Sequence, residues 1–232
     1  MLNKIRAIFG RNFMVILKFT GKDRILYRLT DEIDRKLLSL RYSGFLFDEG
    51  WIDSLINGKP VNKKGEPIPW ISYSMKDFLE PRLNRNMEIF EFGSGASTLY
   101  FSKKVKQVYS VEHDLKWHDN LSKQLPENVK LIFQRPELLD DYSKVALNTG
   151  KKFDLVLIDG IERSNCAIQS FGAIKSNGIV LIDDSEREEY ANAIQFYMER
   201  GYKKLEFWGH QPITMYKKCT LLLYKNENCV GI

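Results

Sequence analysis

Five acidic residues stand at or beside the ends of apolar, strand-like runs: Glu91 in IFEFGSGAST, Glu112 closing VYSVE, Asp159 closing FDLVLID, and Asp183 and Asp184 closing GIVLIDD. A carboxylate in such a place can accept sugar hydroxyls, take a proton from a reacting group or bind a hard cation. If the topology brings Asp159, Asp183 and Asp184 to one edge, three like charges repel unless a cation, a proton or a basic side chain joins them. Two solutions are open. In one, all three aspartates hold Mg2+ or Ca2+, whose preference is for oxygen ligands. In the other, Arg163, four residues after Asp159, and Arg187, three after Asp184, neutralise their carboxylates. One aspartate, or His210 in the loop after the sixth strand-like run, then serves as general base, because an imidazole titrates near neutrality.

The run FGSGAST raises a separate possibility. Gly93 and Gly95 permit a tight turn and a close backbone approach, and Ser97 or Thr98 can cap a helix that starts there. The free N–H groups of such a helix start suit a polar or anionic ligand. A third glycine is missing, with Thr98 in its place, so the loop alone is compatible with a plain structural turn. Glu112, seventeen residues past Gly95 at the end of the next strand, can accept both hydroxyls of a ribose, which points to an adenosine ligand.

These residues need a scaffold. Strands are expected at 88–92, 107–112, 129–133, 153–158, 178–182, 203–207 and 220–224, with helices near 97–104, 115–124, 137–147, 163–175 and 186–200. Alternation of this kind implies crossovers and a mostly parallel sheet covered on both faces. The last two strands are joined only by WGHQPITMYKK, too short for a helix, and so form an antiparallel pair. Ligands of open parallel sheets bind beyond the carboxyl ends of the strands, where every acid above is found. Trp70 and Tyr73, just before the first strand, can form an aromatic wall there.

The motifs IFEFGSGAST, VYSVEHD, FDLVLIDG and GIVLIDD, in this order and spacing over about residues 70–226, resemble those of the class I S-adenosylmethionine-dependent methyltransferases. The resemblance implies an α/β, three-layer Rossmann-like sandwich with a seven-stranded, mostly parallel sheet and an antiparallel last strand. It also implies that Gly93, Ser94 and Gly95 pass under the methionine part of S-adenosylmethionine, with Ser97 and Thr98 opening the following helix. Glu91 would reach the amino group, Glu112 would hold the ribose, His113 or Asp114 would flank adenine, and Asp159 would stand near the sulfonium. PELLDDY is a candidate to close over adenine. The strand-end aspartates resemble those of catechol-type O-methyltransferases, where a cation holds the acceptor hydroxyls, although Asp184 stands where that family has an amide. The implied reaction is O-methylation of a small hydroxylated acceptor, a sugar of a glycan or a metabolite, with the glycan drawn from resemblance to uncharacterised bacterial methyltransferases. The alternatives are an NAD-dependent oxidoreductase and a methyltransferase-like binding module without catalysis. Nucleic acid is not an expected partner, since IDGIER follows the fourth strand and no basic or aromatic strip is evident.

At 232 residues and 44% hydrophobic composition the chain can bury a substantial core. Its 35 basic and 30 acidic residues leave a formal charge of +5, mild enough to permit anionic partners without demanding them. Three cysteines without CxxC spacing support neither a disulfide framework nor a zinc site and fit a reducing cytoplasm. Residues 1–69 are expected to form a helical extension and loop, with the main domain at 70–232. Leu26, Leu29, Ile33, Leu37 and Leu40 share one helical face, and Gly44 is placed to end that helix. Residues 1–30 carry seven Lys or Arg against one Asp, so weak contact with an anionic membrane surface is an expectation, beside ordinary packing of a solvated helix. No run has the length of a transmembrane helix and no cleavable leader is read.

Overall fold

The computed structural model describes residues 31–41, 43–135 and 139–232. The chain divides into two compact units between Glu66 and Pro67. In the first unit, helices span Glu32–Ser39 (α1), Phe45–Asp48 (α2) and Trp51–Asn57 (α3). Helix α1 ends before Gly44; that glycine has φ 89° and instead precedes α2, so it starts a helix where it was expected to end one. The basic segment at 1–30, with its membrane reading, and residues 136–138 of PELLDDY lie outside the described residues. No helix among the described residues is long and apolar enough to cross a membrane.

The second unit is built on a seven-stranded sheet in the order β3-β2-β1-β4-β5-β7-β6. Its strands are Glu88–Phe92 (β1), Gln107–Glu112 (β2), Val129–Phe133 (β3), Phe153–Ile158 (β4), Ile174–Asp183 (β5), Lys203–Gly209 (β6) and Lys218–Tyr224 (β7). Strands β1 to β5 pair in parallel, and β7 runs antiparallel between β5 and β6. This is the mostly parallel, covered sheet that the alternating pattern implied and the three-layer Rossmann-like α/β arrangement that the resemblance implied. Helices Tyr73–Leu79 (α4), Ala96–Ser102 (α5), Leu115–Ser122 (α6), Leu139–Asn148 (α7), Arg163–Gln169 (α8) and Ala191–Met198 (α9) lie between or before the strands.

Side chains of a strand point alternately to the two faces, so an entirely buried strand must be covered on both. All six residues of β4 are buried, and β1 is buried from Ile89 to Phe92. Phe90, Val156, Val180 and Leu223 form one row across four neighbouring strands, each fully buried. Truncating Phe90 to alanine would cost about 3–5 kcal/mol through lost transfer energy and the cavity left behind.

The topology fixes where chemistry can occur. The chain leaves β1 toward β2 and β3, then returns to place β4 on the other side of β1. The loops after β1 and β4 therefore diverge at a switch point on the carboxyl rim, the crevice where such sheets take ligands. Because β7 is antiparallel, its first residues return to that rim, where Thr220 pairs with Asp183.

Candidate active site

The β1 turn is assembled around two buried carboxylates. Glu91 is 0% exposed. Its Oε2 accepts from Thr98 Oγ1 at 2.5 Å and from Ser110 Oγ at 3.0 Å. Its Oε1 is buried with no hydrogen-bond partner. Burial raises the Glu91 carboxyl to about 7, against the lowering effect of the Ser97, Thr98 and Ser110 hydroxyls. Helix α5 begins at Ala96, and the Gly95 N–H is answered by Thr98 Oγ1 at 2.9 Å. Thr98 is thus the cap partner, and because its oxygen accepts from Gly95 its hydrogen is free to go to Glu91.

Glu112, 4% exposed at the end of β2, accepts from four donors of the chain itself. Ser94 N and Ser94 Oγ reach Oε2 at 3.2 and 2.7 Å, while His113 N and Asp114 N reach Oε1 at 2.8 and 2.9 Å. Asp114 caps α6 through the Trp117 N–H at 2.8 Å, so its carboxylate is committed to the helix. The His113 ring stands edge-on to Tyr142, with centroids 6.2 Å apart. Trp117, not singled out from sequence, donates its indole N–H to Ser94 O at 2.9 Å. A short polar cap three residues before Trp117 was the available signal.

The turns after β1 and β4 touch. Gly93 has φ 88°, and a Cβ there would lie 3.0 Å from the Asp159 carbonyl oxygen. A Cβ on Gly160 would lie 2.9 Å from Gly93 N and 2.2 Å from the Tyr142 hydroxyl. Only glycine permits both the left-handed turn at 93 and this approach. Asp159 is therefore the joint between the glycine turn and the rest of the rim.

Beyond Asp159 opens a cavity of about 430 Å³, a size that suits a small ligand, lined by Trp70, Asp159, Arg163, Asp183, Gln211 and Lys218 among others. Asp183 is 3% exposed and accepts from Gln211 Nε2 at 2.8 Å and Thr220 Oγ1 at 2.7 Å, both on its Oδ1. Among the described residues no cation is bonded to its carboxylate, and burial, then the charge of Asp159, raises it well above the ordinary carboxyl range. Asp159 pairs with Arg163 at 2.9 Å. Burial raises Asp159 to about 7; Arg163 opposes this, while Glu91 and Asp184 add to it.

Asp184 behaves differently. It adopts φ 55°, an unusual left-handed conformation for aspartate, and meets Lys218 at 2.8 Å, Arg163 at 3.4 Å and Arg187. Burial alone would raise its carboxyl, but Lys218, Arg163 and Arg187 together lower it.

The donor set does not fit the expected Mg2+ or Ca2+. Arg163, Lys218 and Arg187 already neutralise Asp159 and Asp184, and Asp183 Oδ1 is filled by an amide and a hydroxyl. Among the described residues no group of three or more His, Cys, Asp or Glu side chains is placed to hold a metal. The charge problem of the three aspartates is met by basic side chains and raised carboxyls instead.

His210 is exposed on the loop after β6 and is not among the cavity-lining residues; its neighbour Gln211, 2% exposed, is the one turned inward. Of the expected aromatic wall, Trp70 lines the cavity at 43% exposure, while Tyr73 is buried in α4. Sequence reasoning missed Gln211, Lys218 and Thr220, whose local sequence carries no motif.

No family model matches the chain, and no curated protein does. Among solved structures, precorrin-6y C5,15-methyltransferase from Geobacter metallireducens aligns with a TM-score of 0.48 and 18% identity over 64% of this chain and 85% of that one. A methyltransferase-like protein from Silicibacter pomeroyi gives 0.49 and 21% over 69% and 90%. An rRNA methylase from Streptococcus thermophilus gives 0.45 and 16% over 65% and 93%. The chemistry of this chain is read from its own residues, since one fold hosts many reactions.

Proposed function

We propose that this chain transfers a methyl group from S-adenosylmethionine to a hydroxyl of a small polar acceptor. One observation carries the reading: the glycine turn and the aspartate cluster are one piece of structure, with Gly93 packed on the backbone of Asp159, a residue that also lines the cavity. Donor and acceptor sites share that joint.

The residues fit the cofactor. Glu91 Oε1 is a buried carboxylate oxygen without a donor, suited to the methionine ammonium, and Glu112 stands at the end of β2 to take the ribose. When bound, S-adenosylmethionine supplies an electrophilic methyl group, so the acceptor needs to lose only a proton. Asp159, ionised above about pH 7, accepts that proton as general base. Asp183, kept protonated by its dry surroundings, holds the acceptor oxygen by donating a hydrogen bond. Arg163 fixes the frame: its Nε donates to Gly160 O at 3.0 Å and its Nη1 to Asp183 O at 2.9 Å, tying the β4 turn to the end of β5.

The acceptor class follows from charge. Arg163, Arg187 and Lys218 are engaged by Asp159, Asp184 and Glu186, which favours a neutral hydroxylated molecule over an anionic one. Trp70 offers it an exposed ring. A nicotinamide cofactor fits less well, because the third glycine of a dinucleotide loop allows close helix packing. Here that position is Thr98, fully buried and bonded to Glu91.

Calorimetric titration with S-adenosylhomocysteine and with NAD, followed by a screen of hydroxylated acceptors with methyl-labelled S-adenosylmethionine, tests the reading. Binding of the first ligand and label transfer to a neutral acceptor are expected. Binding of NAD alone would overturn it.

A further inference from the structure

A carboxylate offers about four acceptor positions, and all four at Glu112 are filled by the protein itself. Any ligand hydroxyl that docks on Glu112 must therefore replace one of these donors or share a crowded oxygen. The four are not equally replaceable. His113 N and Asp114 N belong to the corner between β2 and α6, and that corner is fixed by the Asp114 cap on Trp117 N. Ser94 N is a backbone donor, and Ser94 O is held from the other side by the Trp117 indole at 2.9 Å. Of the four donors only the Ser94 hydroxyl can leave by a single χ1 rotation without moving the backbone; the His113 ring nitrogen Nδ1, 3.1 Å from Oε1, is a close contact but not a hydrogen bond. At 2.7 Å from Oε2 it makes the shortest of the four contacts, in the range of charge-assisted O–H···O⁻ bonds.

We propose that the Ser94 hydroxyl is a stand-in for the ribose hydroxyls of the donor, occupying Glu112 in the ligand-free protein and swinging away when the nucleoside docks. The inference rests on the function proposed above and adds a residue that sets affinity downward. Without the Ser94 hydroxyl, Glu112 would keep three backbone donors but leave one acceptor position unfilled in a carboxylate only 4% exposed, which is costly. Ser94 removes that cost in the free protein, so docking exchanges one charge-assisted bond for another of the same kind. The net gain from the ribose is correspondingly small. The Trp117 bond to Ser94 O keeps the turn in place during the exchange, so the change is confined to one side chain.

The outcome expected is opposite to that of an ordinary structural or ligand-binding serine. Ser94→Ala leaves Glu112 a donor short in the free protein, so S-adenosylhomocysteine should bind roughly tenfold tighter, as expected for a hydrogen bond to a charged group. The same substitution should lower the melting temperature of the free protein. Ser94→Cys keeps the side chain but weakens the donor and should move both readings the same way by less. The gain must depend on the hydroxyls: with the 2′,3′-dideoxy analogue of S-adenosylhomocysteine, Ser94→Ala should bind no tighter than wild type. Calorimetry on the full chain with both ligands reads all of this without an acceptor. If wild type binds S-adenosylhomocysteine and both variants bind it equally or more weakly, the stand-in role is wrong and the proposed function survives. If the gain is the same with the dideoxy ligand, the role is also wrong. If wild type binds neither, the proposed function fails and takes this inference with it.

Discussion

Both rims of the sheet carry buried or half-buried acids, and they are treated in opposite ways. On the amino rim, Glu88 pairs with Lys106 at 3.0 Å and Lys151 at 3.4 Å, and the Lys106 hydrogen bond lowers its carboxyl. Asp154 there pairs with Lys175 at 2.8 Å and also takes the Glu88 N–H. On the carboxyl rim, Glu91 and Asp183 are buried with only hydroxyl and amide donors, and burial raises both. A buried acid whose cation outweighs its burial is finished structure, whereas Asp159 stays raised despite Arg163. An acid denied a cation keeps an unfavourable state that a ligand or a reacting group can relieve. Asp184, with its three cations, follows the amino-rim pattern although it sits on the functional rim.

This contrast can be broken in graded ways. Asp159→Asn should lower methyl transfer by about 10²–10⁴-fold, the usual worth of a general base, while calorimetry shows S-adenosylhomocysteine binding within a few-fold of wild type. In Asp183→Asn the amide oxygen can still accept from Gln211 and Thr220 and the amide N–H can donate in place of the protonated carboxyl, so that variant should keep the fold and most of the transfer, whereas Asp183→Ala should lose transfer. Unchanged turnover in Asp159→Asn would remove the general-base assignment, and unchanged turnover in Asp183→Ala would remove the donor assignment. Glu112→Ala should instead weaken S-adenosylhomocysteine modestly, by about tenfold or less, because the Ser94 hydroxyl already competes with the ribose for the carboxylate.

The raised carboxyls predict two pH effects. Transfer by wild type should fall as pH drops through about 7, where Asp159 takes up its proton. Stability runs the other way for Glu91. Its carboxyl is raised from 4.5 to about 7 on folding, so the folded state binds the proton more tightly, and stability declines as pH rises from about 4.5 to about 7 before levelling. In melting curves across that window, Glu91→Gln should flatten part of the decline. An equally steep decline in the variant would contradict the burial argument. At the amino rim the effects should be smallest: Glu88→Gln should change stability by about 1 kcal/mol or less and leave transfer untouched. A chelator should likewise leave transfer unchanged, since side chains rather than a metal neutralise Asp159 and Asp184.

Much of the scaffold was legible in the sequence. The strands read at 88–92, 107–112, 129–133 and 153–158 coincide with β1 to β4: β1, β2 and β4 are buried and read as short, mostly apolar runs, while the half-exposed edge strand β3 is marked by the apolar residues of VKLIF. Strand β5 starts earlier than read, at Ile174, where the pairing with β4 shifts register between Phe153 and Leu155. The read helix at 163–175 is shorter for the same reason, ending at Gln169 before a 3₁₀ turn. Gly44 was misjudged because a left-handed glycine serves either end of a helix junction equally well.

The amino-acid sequence by itself determined the order of elements, the placement of Glu91, Glu112, Asp159, Asp183 and Asp184 at strand ends, and the glycines that allow two turns to touch. Those follow from patterns a few residues long. The pairs Asp159–Arg163 and Asp184–Arg187 follow from spacing, but tertiary structure decided which acid goes without a cation and which gains a further one. Gln211 and Thr220 meet Asp183 across 28 and 37 residues, and Lys218 reaches Asp184 because an antiparallel strand returns it to the rim. The physical reason is that a carboxyl's proton affinity depends on the water removed from it and the charges brought beside it, and both are set by packing between distant segments.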